Sequence, residues 1–108
     1  KRAFYRKLLE LLVHDHLHDP VAIREDLRAG GFAEARRRAH SLKGAAAMLG
    51  AEAIRSTAAR MELLLIGQDL PDLSINALEI ELSSLTQALS ELSQALAATA
   101  PAVPAIAS

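Results

Sequence analysis

Apolar residues recur along most of this chain at alternating steps of three and four, the spacing that gathers one face of an α-helix. Phe32, Ala35, Ala39, Leu42, Ala46 and Leu49 form one such seam, and Gly50 ends it. Upstream, Phe4, Tyr5, Leu8, Leu9, Leu11, Leu12 and Val13 give a broad apolar face to a helix from Arg2 to about His18. Val21, Ile23 and Leu27 continue an apolar face until Gly30-Gly31, a plain helix stop. Between these segments Asp19-Pro20 either caps a new helix, with proline at its first position, or kinks a single long one. The residue before proline avoids the helical region, which favours the cap or a sharp bend. Downstream, Ile54, Ala58, Met61 and Leu65 mark a helix from about Ala51 to Ile66. Gly67 to Leu73, with Pro71, reads as a loop. Leu78, Leu82, Leu85, Leu89, Leu92 and Leu96 then form the seam of a last helix, from about Asp72 or Ser74 to Ala97. The tail from Thr99 holds two prolines and no helical period, as a linker or disordered end does.

Composition fits this all-helical pattern. The 108 residues make one domain, 51% hydrophobic but only 3% aromatic, so the core is mostly Leu and Ala. That suits close helix packing and leaves little for a β-sandwich. The absence of cysteine excludes disulfides and thiolate metal sites and permits a reducing compartment. No apolar run approaches the roughly 18 residues of a membrane span, and no signal-like stretch opens the chain. Because it starts at Lys1 and not at Met, the chain is expected to be a piece of something larger. The net charge of −1 hides an asymmetry. Residues 28–60 carry Arg28, Arg36, Arg37, Arg38, Lys43, Arg55 and Arg60 against Glu34 and Glu52, whereas residues 61–108 have acids and no Lys or Arg. A positive field in the middle of the chain favours a phosphoryl group or an acidic partner surface; the plainer alternative is a solvated helix face.

That basic segment contains the candidate chemistry. His40, Lys43 and Gly44 are three and four apart, so a nucleophile, a cation and a bare patch of backbone share one helix face. His40 lies one residue off the apolar seam, about 100° round the helix, and flanks the core. Arg36, Lys43 and Ala47 follow along its stripe. Gly44 costs a helix about 1 kcal/mol relative to alanine. Close approach of a partner would justify it, as would tight packing among the neighbouring alanines. Imidazole titrates near neutrality, and one ring nitrogen can attack phosphorus while the other keeps its proton. Phosphoryl transfer asks mainly for positioning and charge stabilisation. No phosphate-binding glycine loop, nucleotide site or carboxylate cluster for Mg²⁺ is evident. His14, His16 and His18 form a second constellation. His14 and His18 share a helix face, but two imidazoles are too few for a closed metal site and Asp15 and Asp19 interleave with them. They read as exposed polar residues at a helix end.

His40-Ser41-Leu42-Lys43-Gly44, followed by small residues and then Leu49-Gly50-Ala51, resembles the signature of histidine phosphotransfer (HPt) domains, the phosphocarriers of multistep phosphorelays. The order of helices extends the likeness over residues 4–96. The resemblance implies an all-α, antiparallel four-helix bundle over residues 1–98, with a short or kinked extra helical segment near the N-terminus and a flexible Ala/Pro-containing tail over 99–108. It makes His40 the phosphoacceptor, puts Lys43 near the phosphoryl group, and makes Gly44 the small position that admits a receiver domain's aspartate. Glu62 stands where relatives carry a polar side chain, often glutamine, that hydrogen-bonds the histidine ring. Arg36, Arg37, Ala47 and Arg60 are the further candidates for docking the partner. The implied function is to accept a phosphoryl group from a receiver aspartate and pass it to another receiver of a two-component phosphorelay, with no kinase site in this domain. No cofactor is expected on the domain itself, and Mg²⁺ is expected in the receiver. The domain is expected to be monomeric and cytoplasmic, within a hybrid sensor histidine kinase or standing alone. Nucleic-acid binding is disfavoured, since Phe32 is the basic segment's one aromatic residue. One alternative is a module of the same fold that binds a receiver or kinase without transferring phosphate. Another is the two-chain dimerisation region of a histidine kinase, whose histidine is followed by an acidic residue, where Ser41 stands here.

Overall fold

Two glycines cut the chain into helices that can turn back on one another. Gly30 (φ 79°) and Gly50 (φ 69°) both adopt the left-handed conformation that side chains resist. At each, the next amide reaches back five residues, Gly31 to the Asp26 carbonyl at 2.7 Å and Ala51 to the Ala46 carbonyl at 2.9 Å. The glycine amides themselves donate to Leu27 and Ala47, completing two Schellman stops. A computed structural model describes residues 2–66 and 72–99, and in it the helices are α1 (Arg2–His16), α2 (Asp19–Arg28), α3 (Phe32–Leu49), α4 (Glu52–Leu64) and α5 (Asp72–Ala98).

Helices α2, α3, α4 and α5 close into a ring in which each packs on the next and α2 meets α5. This is the four-helix bundle. Ion pairs fix its antiparallel registers: Arg38 with Asp26 across α3 and α2, Arg60 with Glu81 across α4 and α5, and Arg24 with Glu79 across α2 and α5. The extra N-terminal helix, α1, runs on beside the C-terminal half of α5, where Arg6 bonds the Leu96 carbonyl and Thr99. It also leans on α3, with the Tyr5 hydroxyl donating to the Leu49 carbonyl at 2.5 Å.

Asp19 departs from the role of cap. It is the first residue of α2, with His18 as the unbonded N-cap. Pro20 brings no N–H, which removes one of the donors that a cap serves. The Asp19 carboxylate instead accepts from His16 Nδ1 at 2.7 Å. α5 begins at Asp72, so Asp72 and Leu73 are helical and not part of a loop. The rest of that loop, residues 67–71, and the tail beyond Thr99 lie outside the described residues.

The buried seam is the one the periodicity marks. Ala35, Ala39, Leu42 and Ala46 of α3, Ile54, Ala58 and Met61 of α4, and Leu78, Leu82, Leu85 and Leu89 of α5 gather with Leu12, Ile23 and Leu65 into one core. Alanines on α3 and α4 let the backbones approach, and leucines of α5 fill the remaining space. The first helix is different. Of its broad apolar face only Leu12 and Val13 are buried, while Phe4, Tyr5 and Leu11 are exposed, as is Val21 of α2. α1 rests on α3 and α5, which cover one side of it. Among the described residues no helix is long and apolar enough to cross a membrane.

Candidate functional site

The seam residues Ala39 and Leu42 turn inward, which carries His40 and Lys43 to the edge of the α3–α4 contact. Met61, fully buried, does the same for Glu62 on α4. The three side chains meet there. His40 Nδ1 lies 2.7 Å from Glu62 Oε2, and Lys43 Nζ donates to Glu62 Oε1 at 2.5 Å. One carboxylate thus serves both cations or donors. The Lys43 hydrogen bond holds its carboxyl below the ordinary glutamate range; His40 adds to this, and burial opposes it.

The carboxylate can only accept, so the proton of a neutral His40 ring belongs on Nδ1. Nε2 then carries the lone pair. The imidazole is 68% exposed although Glu62 is only 21% exposed. The site therefore presents a nucleophilic nitrogen to solvent from a ring anchored on its inner side.

Beside the ring is an open hollow of about 450 Å³, lined by Ala33, Glu34, Arg36, Arg37, His40 and Glu62. Arg37 is paired with Glu34 at 2.8 Å. Gly44 and Ala47 continue the exposed face of α3. A Cβ added at Gly44 would meet nothing within 4 Å, so packing among the alanines does not account for this glycine. Arg60 is turned the other way, bonding Glu81 of α5 and Thr57. The structure thus brings together His40, Lys43, Glu62, Arg36 and Arg37, with Gly44 and Ala47 next along the face, and leaves Arg60 outside.

Sequence reasoning missed three exposed apolar side chains: Met48 on α3, Leu63 on α4, and Ile66 just past the end of α4. A signal existed for Met48, which lies one turn beyond Gly44 on the same helix. His16 also differs from the exposed residue expected of it. Its ring turns into the α1–α2 bend against Asp19, and both side chains are largely buried. His14 stays exposed beside Asp15. Among the described residues, no three His, Cys, Asp or Glu side chains gather as metal ligands do.

The chain matches the family model described as Hpt domain over residues 7–102. No curated protein and no solved structure matches it.

Proposed function

We propose, for a chain that belongs to the Hpt domain family and so to the histidine phosphotransfer step of phosphorelays, that His40 is its phosphoryl carrier, taking the group from one receiver-domain aspartate and giving it to another. The observation that carries this reading is the exposed His40 ring with Nδ1 held by Glu62 at 2.7 Å.

The chemistry follows from that contact. Nε2 attacks the phosphorus of an aspartyl phosphate; the P–O bond breaks and its electron pair leaves with the receiver carboxylate. The ring keeps its Nδ1 proton and becomes a phosphorylated imidazolium. Glu62 faces that new positive charge, so it favours the phosphorylated ring as well as the correct tautomer of the free one. Because the ring stays protonated, Nε2 remains a good leaving group, and the phosphoryl group can move on to the next carboxylate. Lys43 offsets the carboxylate's charge and fixes its rotamer, so that Glu62 acts as a positioning residue for His40.

Gly44 and Ala47 leave the face beside His40 low enough for a receiver's aspartate to reach Nε2. Arg36 and Arg37, with exposed Met48 and Leu63, offer that receiver a basic and apolar surface. The receiver would bring the Mg²⁺. On this reading the domain works as a monomer in the cytoplasm, alone or within a hybrid sensor kinase.

Transfer from several phosphorylated receivers to the native chain and to His40→Gln tests the proposal. Acid-labile, alkali-stable label on the native chain and none on the variant is the expected result. A folded, receiver-binding native chain that takes label from none of them would overturn it and leave a docking module.

A further inference from the structure

We infer that the phosphoryl group on His40 sits over the preceding turn of α3, in the hollow lined by Ala33, Arg36 and Arg37, with Arg36 as its cation. This rests on His40 being the carrier. It assigns to Arg36 the phosphoryl contact that the motif alone gives to Lys43.

Three observations carry it. The first is direction. Side chains on an α-helix lean toward its N-terminus, so a residue covers the turn before its own Cα. His40 therefore leans toward Arg36 and Arg37, whereas Lys43, which by the same rule leans back toward His40, is held on the Glu62 carboxylate. The hollow beside the ring is walled by Ala33, Arg36 and Arg37 together with the carboxylates of Glu34 and Glu62, and Lys43 is absent from its walls. The second is charge. Lys43 and Glu62 form a pair of no net charge at 2.5 Å, and Arg37 is matched by Glu34 at 2.8 Å. Arg36 has no ion pair among the described residues, so it is the cation left to meet a dianion. Its planar guanidinium suits two phosphoryl oxygens at once. The third is space. Ala33, two turns before His40, is exposed and ends at a methyl group, leaving the floor of the hollow clear.

Arg36 would act in two ways. It attracts an anionic donor to the ring, and it lowers the repulsion between the bound phosphoryl group and Glu62. Both effects are electrostatic at an exposed site and weaken as salt rises.

Chemical phosphorylation of the full chain with phosphoramidate isolates this contact from receiver docking. Nε2 attacks the phosphorus, the P–N bond breaks, and ammonia leaves with its electron pair while Nδ1 keeps its proton. The phosphorus NMR signal present in the native chain and absent from His40→Gln is the one to follow. In Arg36→Gln, uptake at low salt is expected to slow roughly twofold to fivefold, the range of one exposed charge contact, and the titration midpoint of the phosphoryl signal moves to higher pH. Arg36→Lys restores most of the midpoint, because the charge returns, and less of the rate. The resonance of the Arg36 Nε–H group shifts on phosphorylation of the native chain. An Arg36→Gln chain with native helix content, native midpoint and native uptake would overturn the inference and leave the carrier role intact. Signals equal in the native chain and His40→Gln would overturn the carrier role itself.

Discussion

At the scale of single residues, Gly44 separates stability from function. It lies in the middle of α3 with a right-handed backbone, and an added Cβ meets nothing. Gly44→Ala should therefore stabilise the chain by about 0.5–1 kcal/mol in urea unfolding, as a helix-interior glycine does when it becomes alanine. On the proposed docking the same methyl group should slow transfer from a receiver several-fold, because it rises where the aspartate would approach. Faster transfer together with higher stability would remove the approach argument for this glycine. Glu62 gives a second, pH-dependent test. Its carboxyl is held below its ordinary value of 4.5, chiefly by Lys43. It thus adds stability above that value and loses it as pH falls through the lower folded value. Glu62→Gln should flatten the acid-side fall in unfolding free energy as pH drops below 4.5, with Glu34 and Glu79, both also depressed by arginine partners, keeping part of the slope. Equal slopes in both chains would mean that the Lys43–Glu62 contact does not hold in solution. The grouping of His40, Lys43 and Gly44 was legible in the sequence because helical spacing alone sets it. The direction of Lys43 was not, since it depends on how α4 lies against α3.

At the scale of elements, what ends a helix was easier to read than what covers it. Gly30-Gly31 and Gly50 announced their stops, and α3 begins and ends where the pattern placed it. Gly50→Ala should then do the opposite of Gly44→Ala. Its left-handed backbone imposes a penalty of about 1–2 kcal/mol on a residue with a Cβ, read as a lower unfolding midpoint. The contrast between two glycine-to-alanine changes six residues apart tests the backbone geometry directly. The apolar face of α1 misled for a physical reason. Periodicity reports which side chains share a face, and nothing in it reports whether a neighbour reaches that face. Phe4→Ser should therefore change stability by less than about 0.5 kcal/mol, whereas Leu12→Ala should cost about 2–5 kcal/mol. Similar losses for both would show that the exposed half of α1 is covered in solution.

At the scale of the whole molecule, the His40–Glu62 contact belongs to neither helix alone. Its 2.7 Å length is set by the separation of α3 and α4, and that separation is set by the core beneath it. Ala39 and Ala46 on α3 and Ala58 on α4 are fully buried, and their small size is what lets the two backbones come close. The all-helical class and the seams were legible because each seam is local. The inter-helix distance was not, because it emerges from every side chain in the core together. Ala58→Leu tests this link. Overpacking should cost about 1–3 kcal/mol and push α4 outward, so that Glu62 loses its hold on Nδ1. Phosphoryl uptake by His40 should then fall although no residue of the site has changed. The decisive measurement is a double-mutant cycle with Glu62→Gln. If core spacing acts through the carboxylate, Ala58→Leu slows the native chain but adds little once Glu62 is gone, a strongly non-additive pair. If the two changes multiply, the core affects uptake by another route and the carboxylate's geometry is not what the alanines protect.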